Sequence, residues 1–235
     1  MLSVVIPVLE YDSLFLRCIS SFAATFGKNE LELVIIAPFN QIEKLCVKLD
    51  SLALPFDYSV AQETGSGIYS AMNDGITSSR GEFLAFFGQD DFILPAYIDF
   101  FEKVLDADRL KTVFSCDILM GQFRLERSKF KRSKFLTGNY CHQAIIYRRS
   151  LFANRTFDIK YKIMADKVFN MSVINKKSLL YFPVTCAYFS TDGASSVQSD
   201  LMFKKDFKTL LAAHYGRYMK FLFWFRDIVF KRSRG

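Results

Sequence analysis

The chain has 235 residues, of which 51% are hydrophobic and 16% aromatic, and its formal net charge is +7. The hydrophobic content excludes an intrinsically disordered protein, and the length suits one α/β domain with a substantial core. The five cysteines are scattered without a CxxC pair, which argues against a disulfide framework or a zinc site and favours reduced thiols in the cytosol.

Strand and helix patterns alternate through the first half of the chain. The apolar segment 1–9 is short and lacks a basic leader, so it indicates a first strand and not a signal peptide. No uninterrupted apolar run reaches the roughly 18 residues that a membrane-spanning helix needs. Strands are predicted at 2–8, 31–37, 56–61 and 83–87, and helices at 13–26, 41–52 and around 68–76. The alternation predicts βαβ units and a mostly parallel sheet flanked by helices.

The second half has a less regular pattern. Helices are predicted at 96–105, at 165–174 and from Asp200 onward, and strands at 112–118, 123–125, 144–148 and 178–189. The basic stretch 128–135 is expected to be a mobile loop. Because no linker or repeat divides the chain, we predict a single domain over residues 1–199, followed by a helical tail at 200–235.

The positive charge is concentrated in two segments. Residues 124–134 and residues 214–235 each carry a local charge of +5, which leaves the rest of the chain at about −3. In the second segment, basic residues alternate with aromatic and aliphatic ones, a pattern typical of an amphipathic helix at the surface of an anionic membrane. The alternative is a terminal helix that packs its aromatic residues onto the core or onto a second subunit of a homodimer. Nucleic-acid binding is disfavoured, because no recognition motif accompanies the charge.

Two adjacent carboxylates, Asp90 and Asp91, follow the apolar strand predicted at 83–87. Ligands bind at the carboxyl ends of strands in open α/β sheets. Hard cations such as Mg²⁺ and Mn²⁺ often use one or two carboxylates together with substrate phosphates. The pair therefore indicates a site for a divalent cation and a diphosphate. The alternative is a turn or a helix N-terminus, since Pro95 fits a helix start.

Several motifs follow one another in an informative order. They are the strand at 3–7, the segment GIYSAMNDG at 67–75, the Gly81–Glu82 turn, the Asp90–Asp91 pair, Cys141-His142-Gln143, the segment 164–167 around Asp166, and residues 192–196. This series resembles family 2 glycosyltransferases of the GT-A fold, in particular bacterial enzymes that build surface polysaccharides. The resemblance spans roughly residues 2–197. It implies a GT-A-like, Rossmann-related fold with a nucleotide-binding half at about 1–95 and an acceptor half at about 96–199.

The resemblance also implies roles in binding the donor. Residues that would contact the nucleotide sugar are Pro7, Glu10, Asn40, Asn73 and Asp90, and Asp91 would coordinate Mn²⁺ or Mg²⁺. The chain departs from the family pattern at Ala37, where the family has an aspartate, and at Gln89, which fills the first position of its DxD pattern. Because Ala37 cannot accept a hydrogen bond from a base, residues 37–40 are alternatively no more than a strand-to-helix turn. Asn73 is alternatively a solvated surface residue.

The acceptor side is predicted from two further motifs. Asp166 matches the family's catalytic base, which takes the proton from the acceptor hydroxyl in an inverting transfer. The alternative is a helix N-terminal carboxylate that the helix dipole favours. His142 and Gln143 match positions that would hydrogen-bond the acceptor, and a packed structural histidine is the alternative at His142.

The resemblance implies an inverting, metal-dependent glycosyltransferase. Its donor would be a nucleoside diphosphate sugar, with UDP as the expected carrier. Its acceptor would be a lipid-linked saccharide used in O-antigen or capsule synthesis, at the cytoplasmic face of the inner membrane. The 124–134 segment could also contact the phosphates of that lipid. The alternative function is a catalytically impaired relative that acts as a membrane-surface binding or scaffold protein.

Overall fold

The structure is a computed structural model that describes residues 1–191, 199–216 and 223. Within these residues, nine strands form one sheet with helices packed against it. The strands are β1 (Leu2–Pro7), β2 (Leu31–Ala37), β3 (Asp57–Gln62), β4 (Phe83–Phe86), β5 (Phe92–Ile93), β6 (Val113–Met120), β7 (Arg124–Glu126), β8 (Ile145–Arg148) and β9 (Leu179–Phe189). The helices are α1 (Ser13–Ala23), α2 (Phe39–Asp50), α3 (Ile68–Ser78), α4 (Tyr97–Leu105), α5 (Lys134–Thr137), α6 (Ala165–Val173) and α7 (Leu201–Tyr215).

The sheet joins a parallel half to a mixed half. Its strand order is β3-β2-β1-β4-β8-β6-β9-β5, with β7 paired to β6. All pairings among the first four strands are parallel, which confirms the prediction for the first half of the chain. Beyond β4, the strand β8 is antiparallel to both of its neighbours, while β6 and β9 run parallel to each other. The carboxyl ends of β1, β2 and β4 therefore lie at one edge of the sheet, where ligands bind in open α/β sheets.

Close packing fixes helix α3 against the parallel half. Ala71, Met72 and Ile76 are buried, as their helical spacing predicts. A Cβ added at Gly75 would overlap the Val5 side chain, so this position brings the helix backbone close to β1. The glycine at the end of the GIYSAMNDG motif is thus explained by packing.

Three expectations differ from the structure in detail. Helix α2 begins at Phe39, two residues before the predicted start, because the chain turns directly at Pro38. Ile68, predicted on the apolar face of α3, is 42% exposed, and Tyr69 is buried instead. The stretch expected to be a mobile loop contains the short helix α5 and two buried residues, Ser128 and Phe135, which anchor it.

The described part of the C-terminal segment packs on the core. Helix α7 buries Phe203, Phe207 and Leu211. Tyr215 stacks on Phe135 with ring centroids 5.5 Å apart, and Phe223 packs edge-on against Phe207 at 5.0 Å. These contacts favour the core-packing alternative for Tyr215 and Phe223. The other aromatic residues of the predicted membrane helix, and the motif at 192–196, lie outside the described residues.

Two further observations bear on the sequence predictions. Among the described residues, no helix combines the length and apolarity needed to cross a membrane. All five cysteines are free thiols, and three of them, Cys18, Cys116 and Cys186, are buried.

Candidate active site

Asp91 is a buried carboxylate in the loop after β4. Its side chain is almost inaccessible, and three N–H groups point at it. Oδ2 accepts hydrogen bonds from the Gly88 backbone (2.8 Å) and from the Gln143 side-chain amide, and Oδ1 accepts one from the Ser190 backbone (3.0 Å). Burial and the neighbouring charge of Asp90 nevertheless raise the pKa of Asp91 to about 6. A buried charge of this kind is stabilised by an added cation.

Asp90 and Asp91 face a common point because residue 88 is a glycine. A Cβ at Gly88 would lie 2.8 Å from Asp90 Oδ1 and 2.9 Å from Asp91 Oδ2, so any other side chain would push the two carboxylates aside. Arg17 fixes the backbone here by donating a hydrogen bond to the Asp90 carbonyl (2.8 Å). The loop is thus built to present two carboxylates on one side.

These carboxylates fit a divalent cation as a partial site. A carboxylate has about four acceptor positions, and the three N–H groups on Asp91 leave one of them for a metal ion. Among the described residues, no group of three or more histidine, cysteine or acidic side chains could hold a metal ion. A cation bound by Asp91 and Asp90 would therefore need further oxygen ligands from a diphosphate and water, as Mg²⁺ sites commonly do.

Asp166 lies in the first turn of α6 and is surrounded by hydrogen-bond donors. Oδ1 accepts a hydrogen bond from its neighbour's backbone, Lys167 N (2.7 Å), and lies 2.9 Å from the Tyr69 hydroxyl. Oδ2 accepts one from the Asn139 side-chain amide (2.7 Å) and lies 3.5 Å from His142 Nδ1. The contacts hold the carboxylate in one orientation, while its side chain keeps 10% of its surface accessible.

Tyr69 can act on Asp166 only as a donor. Burial, together with the charge of Asp166, raises the pKa of Tyr69 well above its ordinary value, so its hydroxyl keeps its proton. That hydroxyl also lies 2.7 Å from the carbonyl of Ile163. Its single proton can be donated to either oxygen, so Tyr69 ties α3 to the turn before α6 in both arrangements.

Two consecutive residues link the two carboxylates. His142 and Gln143 lie in a single 3₁₀ turn, His142–Ala144, that precedes β8. The His142 ring lies beside Asp166, whereas the Gln143 amide donates to Asp91. One short turn thus contacts the carboxylate predicted on the metal side and the carboxylate predicted on the acceptor side.

The residues predicted to contact the nucleotide differ in their surroundings. Pro7 ends β1 and pairs in register with Ile36 of β2. Glu10 and Asn40 are exposed, with Asn40 in the first turn of α2 at the same edge of the sheet. Ala37 is completely buried.

Asn73 has a structural partner at both ends of its amide. Its Nδ2 donates to the Phe157 carbonyl and its Oδ1 accepts from the Phe157 N–H, each at 2.9 Å. These bonds join α3 to the loop before α6. A contact with the nucleotide stays a prediction.

Sequence reasoning did not single out the residues that hold Asp166. Tyr69 lies inside the GIYSAMNDG motif, and Asn139 lies two residues before the Cys141-His142-Gln143 motif. A buried tyrosine on the core face of a helix ordinarily pairs its hydroxyl with a polar partner. That rule could have drawn attention to Tyr69, but no local pattern distinguishes Asn139.

Comparison with known proteins shows the family of this chain. The family model described as "Glycosyl transferase family 2" matches residues 3–179. Curated proteins named "PGL/p-HBAD biosynthesis glycosyltransferase" from Mycobacterium tuberculosis and Mycobacterium bovis are 30% identical over 212 residues. The match covers 83% of this chain and 79% of each relative.

Solved structures share the fold at low sequence identity. The Staphylococcus aureus protein TarS 1–349, in complex with UDP-GlcNAc, superposes with a TM-score of 0.70 at 17% identity, covering 90% of this chain and 65% of that chain. The mannosyltransferase PcManGT from Pyrobaculum calidifontis, in complex with GDP-Man and Mn²⁺, gives 0.65 at 14% identity, covering 96% and 64%. This chain therefore spans a little under two thirds of those solved chains, and the shared part is the GT-A-like fold.

Proposed function

The chain belongs to glycosyltransferase family 2, and we propose that it transfers a sugar, with inversion, from a nucleoside diphosphate sugar to a lipid-linked saccharide. UDP is the carrier that we assign to the donor. The product would be a surface polysaccharide of the O-antigen or capsule type. Solved relatives in complex with UDP-GlcNAc and with GDP-Man support a nucleotide-sugar donor. The mycobacterial relatives, named for PGL/p-HBAD biosynthesis, support a glycolipid setting.

One observation carries the proposal. The 3₁₀ turn at His142–Ala144 contacts both Asp166 and Asp91 through two adjacent side chains, His142 and Gln143. Both carboxylates accept hydrogen bonds; Asp166 keeps 10% of its side-chain surface accessible, and Asp91 is almost inaccessible beside a second acid. A general base next to a cation and diphosphate site is the combination that transfer of a glycosyl group needs.

Asp166 acts as the base in the proposed reaction. The acceptor hydroxyl oxygen attacks the anomeric carbon and its proton passes to an Asp166 carboxylate oxygen. At the same time, the bond from the anomeric carbon to the diphosphate oxygen breaks. Asn139 and Tyr69 hold the carboxylate in position. A correctly placed base of this kind contributes typically 10²–10⁴-fold to the rate.

Asp91 and Asp90 hold Mn²⁺ or Mg²⁺ in this proposal. When bound, the cation neutralises charge that develops on the departing nucleoside diphosphate. Arg17 and Gln143 fix the two acids around it. Pro7, Glu10 and Asn40, at the adjacent sheet edge, are proposed to contact the nucleotide.

The protein is proposed to work at the cytoplasmic face of the inner membrane as a peripheral protein. An acceptor carried on a lipid requires access to a membrane surface. The local charge of +5 at residues 214–235 supports contact with anionic lipids, since each basic residue near such a surface contributes roughly 1 kcal/mol.

Calorimetric titration of UDP, GDP and dTDP with and without Mn²⁺ tests the donor site. We expect metal-dependent binding of UDP by the wild type and none by Asp91→Asn, with Asp99→Asn, an exposed acid on α4, as the matched control. Binding by a different nucleotide would correct the carrier. Binding by none of them would contradict the proposal.

The departure at Ala37 favours one other function. A buried alanine cannot hydrogen-bond a base, so the chain could instead be an impaired relative that serves as a membrane-surface scaffold. Slow Mn²⁺-dependent hydrolysis of a UDP-sugar separates the two functions, because hydrolysis needs a working donor site. Vesicle binding without nucleotide binding or hydrolysis would favour the scaffold.

A further inference from the structure

A cleft of about 670 Å³ lies between β7 and α5. Its lining residues are Leu125, Glu126, Arg127, Lys129, Phe130, Lys131, Ser133, Lys134 and Thr137. None of the carboxylates assigned to transfer is among them. The cleft is therefore a separate feature of the acceptor half, and its chemistry is that of its basic side chains.

The cationic charge of this cleft is not neutralised by the protein. Lys134 forms an ion pair with Glu126 (2.8 Å). Arg127, Lys129 and Lys131 are exposed and form no ion pair within the described part of the chain. Three uncompensated cations around one concavity attract a ligand with several negative charges. Phosphate groups fit best, because they accept charge-assisted hydrogen bonds from both lysine and arginine.

The cleft is also held in shape. The mostly buried Lys134 donates to the Arg127 carbonyl (2.9 Å) and lies over the Tyr140 ring at 4.7 Å. The Tyr140 hydroxyl accepts a hydrogen bond from Lys131 N (2.7 Å), and Ser128 N donates to Asp117 (3.2 Å). A binding loop that is already ordered loses less conformational entropy when a ligand binds.

The same loop connects the cleft to the catalytic base. Thr137 lines the cleft, and Asn139, two residues later, donates a hydrogen bond to Asp166. Two residues span at most about 7 Å of extended chain. On the other side, the hairpin between β6 and β7 exposes Phe123 and Leu125. The lining of the cleft thus includes the exposed Leu125, two residues after Phe123, and Thr137, two residues before the side chain that holds the base.

We infer that this cleft binds the diphosphate of the lipid-linked acceptor, with Lys129 and Lys131 as its main contacts and the lipid lying over Phe123 and Leu125. The inference rests on the proposed function, because it assigns the position of that reaction's acceptor. It predicts that phosphate and lipid are recognised together, and that recognition is independent of the nucleotide.

Calorimetry on the full chain tests the assignment with three probes: farnesyl diphosphate, farnesol and inorganic pyrophosphate, each with and without saturating UDP and Mn²⁺. Farnesyl diphosphate should bind more tightly than pyrophosphate, and farnesol should bind weakly. Replacing two lysines, Lys129→Gln with Lys131→Gln, should weaken binding of farnesyl diphosphate about tenfold, given the modest strength of exposed ion pairs. The matched control, Lys44→Gln with Lys48→Gln on α2, removes the same charge elsewhere and should change nothing.

Three results would overturn the assignment. If the Lys129/Lys131 variant and the Lys44/Lys48 control bound farnesyl diphosphate with equal affinity, the cleft would not be the acceptor site. Equal affinity for pyrophosphate and farnesyl diphosphate would remove the lipid contact. Phosphatidylglycerol vesicles that bind through Lys129 and Lys131, without any binding of farnesyl diphosphate, would reassign the cleft to membrane headgroups. Failure of UDP to bind would instead contradict the proposed function. The two failures are distinguishable, because the titrations without nucleotide measure binding at the cleft alone.

Discussion

Gln143 donates a hydrogen bond from its side-chain amide to Asp91, and both side chains are buried. The residue before it, His142, lies 3.5 Å from Asp166. Because a single turn carries both contacts, a displacement of that turn would change the surroundings of both carboxylates together. The His142–Gln143 motif therefore contacts both carboxylates of the site, in addition to the acceptor contacts that the family resemblance implies for it.

Replacing Gln143 tests this support. Gln143→Leu keeps the size of the side chain but removes one of the three N–H groups on Asp91. We expect Mn²⁺-dependent UDP affinity to fall about 10–100-fold, as is typical when a partner of a metal ligand is lost. The free energy of unfolding should fall by about 1–3 kcal/mol. Calorimetry and urea unfolding measure the two effects, with the exposed Gln62→Leu as control, and unchanged affinity would contradict the support role.

Asp166 should be required for transfer but not for donor binding. Asp166→Asn retains the shape of the side chain and removes its ability to accept a proton. We expect the transfer rate to fall 10²–10⁴-fold, with UDP affinity within about twofold of wild type. Rates measured with radiolabelled donor and a lipid-linked acceptor provide the test. Asp99→Asn is the control, and substantial turnover by Asp166→Asn would reject the base.

Tyr69 should position the base and take no part in the proton transfer itself. Tyr69→Phe removes only the hydroxyl that lies 2.9 Å from Asp166 and 2.7 Å from Ile163 O. Loss of one hydrogen bond costs about 1 kcal/mol, so we expect kcat to fall roughly fivefold to tenfold while KM for the donor is unchanged. Steady-state kinetics measure kcat and KM separately. A change confined to KM would contradict the positioning role of Tyr69. Tyr58→Phe, on the distant strand β3, is the control.

The parallel half of the fold is predictable from the sequence because local and long-range preferences agree there. Strand β2 is fully buried, and six of its seven residues are apolar, so it forms with the predicted bounds. The exception is Glu32, which is buried with Ser3 and Arg80 as partners. Strand β5 has two residues and exists through its pairing with β9, so no local pattern indicates it. The face of α3 was misjudged by one residue, because Tyr69 is buried for its hydroxyl contact, which hydrophobic spacing does not register.

The candidate site was predictable only where a motif supplied it. Asp91 and Asp166 lie 75 residues apart in sequence. The position of the Asp90–Asp91 pair after an apolar strand indicated Asp91, whereas only the family resemblance identified Asp166. What the resemblance left out is the connection between them. Gln143 and His142 were predicted to contact the acceptor, and their links to the two carboxylates depend on tertiary packing that a linear pattern does not encode.

The raised pKa of Asp91 predicts a pH dependence of stability. The pKa in the folded protein, about 6, lies above the ordinary value near 4, so folding favours the neutral acid. Its stabilising contribution is complete below pH 4 and is lost as the pH rises through 6. In EDTA, we expect the free energy of unfolding to decrease between about pH 4 and 6, by on the order of 3 kcal/mol at most.

Mn²⁺ should reverse this loss above pH 6, since it binds the ionised carboxylate. Urea unfolding at a series of pH values measures both effects. The pH-dependent component should be absent in Asp91→Asn, which has no group to ionise there. If the free energy of unfolding of the wild type rose over the same pH interval, the argument that burial raises the pKa of Asp91 would be contradicted.

Helix α3 should tolerate no side chain where it meets β1. In Gly75→Ala, the added methyl group would overlap the Val5 side chain, and overpacking of this kind costs about 1–3 kcal/mol even though alanine is the better helix former. The shift would also move Tyr69, six residues earlier on the same helix, so transfer activity should fall together with stability. Combining Gly75→Ala with Val5→Ala relieves the overlap and should destabilise less than the sum of the two single changes. Additive losses in this double-mutant cycle, measured by urea unfolding, would mean that the two positions do not press on each other.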